Sequence, residues 1–303
     1  MDAKSNHGFK LFVVVVVIIG LYVGYTLPSL TDCSGKNEQT LYAFEKADAA
    51  KGAEAMARMP QVAQDALICW RYGLLFVPDG ESGYNDEDKF SDNEMVQYFA
   101  PRENSSFVAS DGKVYTFRTA LSLRDKQQNH APDWVAAVRA MGTATDEAVF
   151  ASYEADVKRL AAMTVKHHLS HLPVDVRRAW LAMYLKALFS ENGKNFYTGR
   201  ARHQRVPGTY RMVKTREVSD AAVFAGANGQ NLSFNKTLRH MESDKSARSA
   251  WKYATFCADV AGEDAVLALY PKAVSALRQE ADKRNAESPQ EGHKADGDKQ
   301  SAS

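Results

Sequence analysis

Apolar side chains run without a charged residue through 11–27, and downstream they recur mostly at spacings of three and four. The second pattern puts them on one face of a helix. The first block, wound as a helix at 1.5 Å per residue, reaches about 26 Å, close to the hydrocarbon thickness of a bilayer. Its valines at 13–17 suit a strand, but a buried strand rarely exceeds about ten residues. A cleavable signal peptide fits less well, because the block exceeds the usual apolar region and no small-residue cleavage site follows Leu27. The expectation is a retained single-pass membrane anchor, with Lys4 and Lys10 holding the N-terminus on the cytoplasmic side. Gly20 and Gly24 place two small residues on one face of that helix, where a second helix can approach.

Beyond the anchor, a Glu/Ala/Lys-rich run at 38–59 predicts a solvent-facing helix. Pro60 opens a more apolar helix with Leu67, Cys69, Trp70 and Leu74 as core candidates. Residues 79–94 are acidic and predict a loop, with Ser91 and Glu94 as a capping box for a short helix ending near Tyr98. An EF-hand does not fit there, since the turn glycine and closing glutamate are missing from the required offsets. Asp111 and Gly112 lie between two β-prone runs and predict a hairpin.

Helical patterns follow at 132–142, at 145–172 with Val149, Tyr153, Val157, Leu160 and Met163 on one face, and from Pro173 to a left-handed cap at Gly193. A minimal turn between the last two predicts antiparallel packing. Two further helices, at 243–262 and at 263–285 with a break at Pro271, complete the pattern. The expected organisation is a cytoplasmic N-terminus at 1–10, a transmembrane anchor at 11–27, a spacer at 28–37, a mostly α-helical exported domain at 38–285 and a disordered tail at 286–303. The fold class is therefore mainly α: one transmembrane helix, then a helical exported domain with one small β-hairpin.

Composition changes this picture little. Hydrophobic residues at 45% and charged residues at 25% are ordinary for a globular chain, so general disorder is excluded. A formal net charge of +1 demands no polyanionic partner overall. Charge matters locally: residues 192–216 contain no acidic side chain, while Lys194, Arg200, Arg202, Arg205, Arg211, Lys214 and Arg216 concentrate positive charge around His203. Candidate partners for that run are the acidic 79–94 segment, an acidic protein, or another polyanion such as lipid headgroups, peptidoglycan or transported DNA.

His167 and His171, four residues apart on one helix face, have the spacing of two zinc ligands. A metalloprotease helix needs a glutamate after its first histidine, and His168 stands there instead. A third ligand has to come from His130, His203 or His240. Without one, the three histidines simply complement the negative end of the helix dipole. Cys69 and Cys257, each in an apolar helical stretch, are candidates for one disulfide or for two buried thiols, with Cys33 left over. No Gly-x-Ser-x-Gly elbow, Walker loop or dinucleotide fingerprint is present.

These features point to a non-enzymatic subunit of an envelope-spanning assembly, of the secretion, conjugation or similar transport kind. It is expected at the bacterial inner membrane with its main domain in the periplasm, working through contacts with other envelope proteins or with itself. The rival expectation is an anchored cell-wall hydrolase assisted by zinc at His167 and His171. A third is a DNA-contacting subunit using the basic run.

Overall fold

The computed structural model describes residues 36–78, 81–90, 97–126, 128–190, 197–206, 209 and 212–287. The chain enters through two helices, α1 (Lys36–Arg58) and α2 (Gln61–Arg71), then forms strands β1 (Tyr84–Phe90), β2 (Gln97–Pro101), β3 (Ser106–Val108) and β4 (Val114–Thr116). Helices α3 (Phe117–Arg124), α4 (Ala131–Thr143), α5 (Asp146–Phe150), α6 (Glu154–Ser170) and α7 (Val174–Tyr184) follow. Next come β5 (Phe189–Ser190), β6 (Tyr197–Arg205), β7 (Met212–Val218), β8 (Ala222–Ala225) and β9 (Asn231–Ser233). The last elements are α8 (Phe234–Glu242), α9 (Lys245–Ala261), α10 (Glu263–Leu267) and α11 (Pro271–Glu287).

Two expectations are corrected. Among the described residues helix accounts for 59% and strand for 17%, and the strands make four small sheets rather than one hairpin. All pairings are antiparallel: β1 with β2, β3 with β4, β6 with β7, and a three-stranded sheet in the order β5-β8-β9. The single-pass anchor is the second correction. Among the described residues no helix is long and apolar enough to cross a membrane, and residues 11–27, with Gly20 and Gly24, lie outside the described fold. Helix α1, which at 23 residues has the length to span, interrupts its apolar positions with lysine, glutamate and aspartate, as its reading as a solvent-facing helix requires.

The core forms around α2, α6 and α9. On α9, Ala247, Ala250, Ala254, Ala258 and Ala261 are buried, and these small side chains let α6 lie along it, with Leu160, Val165 and Leu169 of α6 buried in the same core. The main packing partner of α6 is thus α9, where sequence spacing had suggested α7. Helix α7 instead reaches α9 through Trp180, whose indole N–H donates to Thr255 Oγ1 at 3.1 Å. Trp70 of α2 stacks on Trp134 of α4 at 6.0 Å, and Phe117 meets both rings edge-on.

Polar groups secure the remaining joints. The Tyr84 hydroxyl lies 2.9 Å from the Cys69 carbonyl and 2.8 Å from that of Trp70, satisfying the last turn of α2. Arg71 forms a two-oxygen ion pair with Asp146 at 3.0 and 2.9 Å, joining α2 to the start of α5. The long helix expected at 145–172 is broken by a 3-10 turn at Ala151–Tyr153, which lets Phe150 meet the Tyr72 ring edge-on. Helix α7 stops well before Gly193: Lys186, at φ 58, takes the left-handed position after Leu185. Tyr98, expected at a helix end, lies in β2 opposite Lys89.

Gly52 marks where α1 comes closest to α4 and α5. A Cβ there stands 2.6 Å from Ala140 Cβ and 3.2 Å from a Val149 methyl. In Gly52→Ala, overpacking of roughly 1–3 kcal/mol outweighs the gain in helix propensity of about 1 kcal/mol. Urea denaturation is expected to show a net loss of stability, and a stabilised variant would disprove the close packing.

Candidate binding surface on the β6–β7 hairpin

The basic run at 192–216 folds into the β6–β7 hairpin, whose register pairs Ala201 with Arg216, Arg202 with Thr215, His203 with Lys214, Gln204 with Val213 and Arg205 with Met212. Because side chains alternate across a strand, the hairpin has two unlike faces. Val213 turns inward and, with Val206, packs on Phe256 of α9. Lys252 lies over the same Phe256 ring at 5.6 Å. Arg202 is drawn into an ion pair with Glu217 at 2.6 Å. A cleft of about 630 Å³ opens between this side of the hairpin, α8 and α9, with Phe234 and Trp251 in its wall.

The other face carries His203, Arg205, Lys214 and Arg216, all exposed, and ends at the turn with Met212, 54% exposed, opposite Arg205. Arg205 donates its Nε to the Thr209 carbonyl at 2.9 Å, so one guanidinium edge tightens the turn. The Arg216 guanidinium sits 5.9 Å from the Tyr197 ring centre, an arrangement that holds the cation in place without cancelling its charge. Arg200 is exposed on β6, and Arg211 lies outside the described residues. A row of cations beside one apolar side chain recognises an acidic surface with a small apolar spot.

Within the acidic 79–94 segment, Glu81 engages other cations. Glu81 pairs with Lys245 at 2.5 Å and reaches Arg102 at 3.9 Å. Residues 84–90 form β1 and pair with β2, so what was expected as a loop is a strand.

The histidine cluster lies elsewhere, at the end of α6. The rings of His167 and His171 are 4.8 Å apart, as their spacing requires. His167 also packs on Phe76 at 4.8 Å. His168 is buried against Phe76 and Tyr253, and its Nε2 has no hydrogen-bond partner. Burial and its two histidine neighbours hold the His168 imidazole at about 3, far below its usual value. Among the described residues no group of three or more His, Cys, Asp or Glu side chains could hold a metal ion. His130, a candidate third zinc ligand, is bonded to Asp133 at 3.0 Å, and His203 stands on the hairpin.

Cys69 and Cys257 are both buried and not joined by a disulfide, so of the two alternatives the structure has the unbridged one. Burial pushes the Cys69 thiol well above its usual value, which makes it a packing group rather than a nucleophile. Sequence reading also passed over three aspartates, Asp175, Asp220 and Asp244, that meet on the rim of one cleft. Each lies at an element boundary, and that is the only signal they leave in the chain. No family model, curated protein or solved structure matches the chain.

Proposed function

We propose that this chain is a non-enzymatic subunit of a larger assembly, of the envelope-spanning secretion or conjugation kind, and that it engages an acidic partner protein through the outer face of the β6–β7 hairpin. The observation that carries the protein-contact reading is the exposed row of Arg205, Lys214 and Arg216 beside Met212, on a hairpin whose opposite face is seated on α9. An exposed apolar side chain beside a charged row favours a protein surface over a bare polyanion, which needs charge alone.

Reversing the three cations in Arg205→Glu/Lys214→Glu/Arg216→Glu tests this. The side chains are exposed, so the chain is expected to stay folded, with a small drop in melting temperature from the lost Arg205–Thr209 bond, while co-purification of the partner from crosslinked native cells falls roughly 10- to 100-fold. A variant that keeps its partners overturns the proposal. So does a wild-type chain that binds DNA through the hairpin with steep salt dependence and captures no protein.

A further inference from the structure

A second surface on the molecule is the chemical complement of the hairpin. The starts of α7 and α9, the β8–β9 pair and α8 enclose a cleft of about 820 Å³, with Asp175, Asp220 and Asp244 around it. Its floor is apolar, with Val176, Val223 and Met241. Asp175 accepts from the Ala227 N–H at 3.1 Å, Asp244 from the Ala247 N–H at 3.0 Å, and Asp220 from the Asn235 side-chain amide. All three bonds come from neutral donors and leave the carboxylate charges in place. Among the described residues that line the cleft, Lys236 is the one cation.

We infer that this cleft receives the basic outer face of the β6–β7 hairpin from a second copy of the chain. The inference rests on the proposed protein-docking role of that face and names its partner. The cleft's volume is that of a pocket able to seat several side chains, which suits Arg205, Lys214 and Arg216 opposite the aspartates and Met212 over the apolar floor. The contact comes from another copy because the hairpin's inner face is fixed on α9 through Val206 and Val213, and among the described residues no hairpin side chain lines the cleft of its own chain. Each copy carries both surfaces, so the contact can be made twice about a two-fold axis or repeated head to tail.

Sedimentation velocity of the full-length chain tests the inference. The wild type is expected to self-associate at low salt and to dissociate as salt rises. Asp175→Lys/Asp220→Lys and Lys214→Glu/Arg216→Glu should each weaken self-association at least about tenfold when alone. Mixed in equal amounts they should pair, because the reversed cleft of one then meets the reversed hairpin of the other. Lys236→Glu, an exposed change that keeps all three aspartates, should tighten association, and this arm survives any folding defect in the double variants. A monomeric wild type, or a mixture that does not pair, overturns the inference. Loss of association in the hairpin variant alone also overturns it, yet leaves the hairpin as a docking face. Association unchanged in both double variants overturns the cleft, and an unchanged cellular partner in the hairpin variant then removes the docking role as well.

Discussion

Between pH 7 and pH 5 the wild-type chain is expected to lose about 2 kcal/mol of stability through His168 alone, and His168→Leu should abolish that part of the loss. The sign follows from the site. The imidazole is held at about 3 in the folded chain, against about 6.5 when unfolded. Over that window the unfolded chain takes up a proton that the folded chain refuses, so stability is complete above about 6.5 and drains as pH falls toward 3. The causes are physical and local: burial, and like charge from His167 and His171. The remaining neighbours, Phe76 and Tyr253, offer rings rather than a carboxylate.

Because Nε2 has no partner, the leucine variant leaves no new orphan and should equal or exceed the wild type at pH 7. Guanidinium denaturation at pH 7, 6 and 5 measures both chains, and the difference between their slopes isolates His168 from other titrating groups. Parallel slopes would show that the histidine is not held neutral by its surroundings.

The second large effect is at Asp65, a carboxylate only 1% exposed on the apolar helix α2. It accepts from the Ser110 N–H at 2.8 Å, the Ser110 hydroxyl at 2.7 Å and the Gln61 side-chain amide at 2.9 Å. These bonds fasten the β3–β4 turn to α2. Arg159 of α6 adds a bond to the Ser110 hydroxyl at 2.9 Å, so three elements share one polar joint. Asp65→Ala should cost about 3 kcal/mol, since the half-buried Ser110 N–H and hydroxyl lose their acceptor and the Gln61 amide loses its own. Asp65→Asn, which keeps one oxygen, should cost less than half of that. Urea unfolding decides between them, and a loss below about 1 kcal/mol in the alanine variant would mean that water replaces the carboxylate.

How far the fold could be read from the chain depends on where the deciding interaction lies. Pro60 before α2, the Asp111-Gly112 turn and Pro271 at the start of α11 act on their own backbone, and the structure has each feature where the sequence placed it. Gly193 was weaker, because a cap also depends on where packing stops the helix. Trp180 and Tyr184 are held by α9, and the turn comes at Lys186 instead. Strands β1, β6 and β7 were missed for another reason. Their sequences are rich in charge on both faces, so no apolar alternation announces them. They exist because a partner strand satisfies their backbone and, for β6 and β7, because α9 supplies the apolar surface under Val213.

The candidate site divides in the same way. A run of cations without a counter-charge is a property of consecutive residues, and it was legible. Whether those cations share a face, which of them Glu217 neutralises, and whether the acidic 79–94 segment reaches them are matters of register and packing.

By itself, then, the sequence determined the helical character, the proline-marked and turn-marked boundaries and the presence of an excess positive charge, because each is set by neighbours in the chain. Only the tertiary structure decided that α6 pairs with α9, that His168 stays neutral and that three distant aspartates rim one cleft. Those outcomes depend on burial and on contacts between residues far apart in sequence, and no local pattern encodes them.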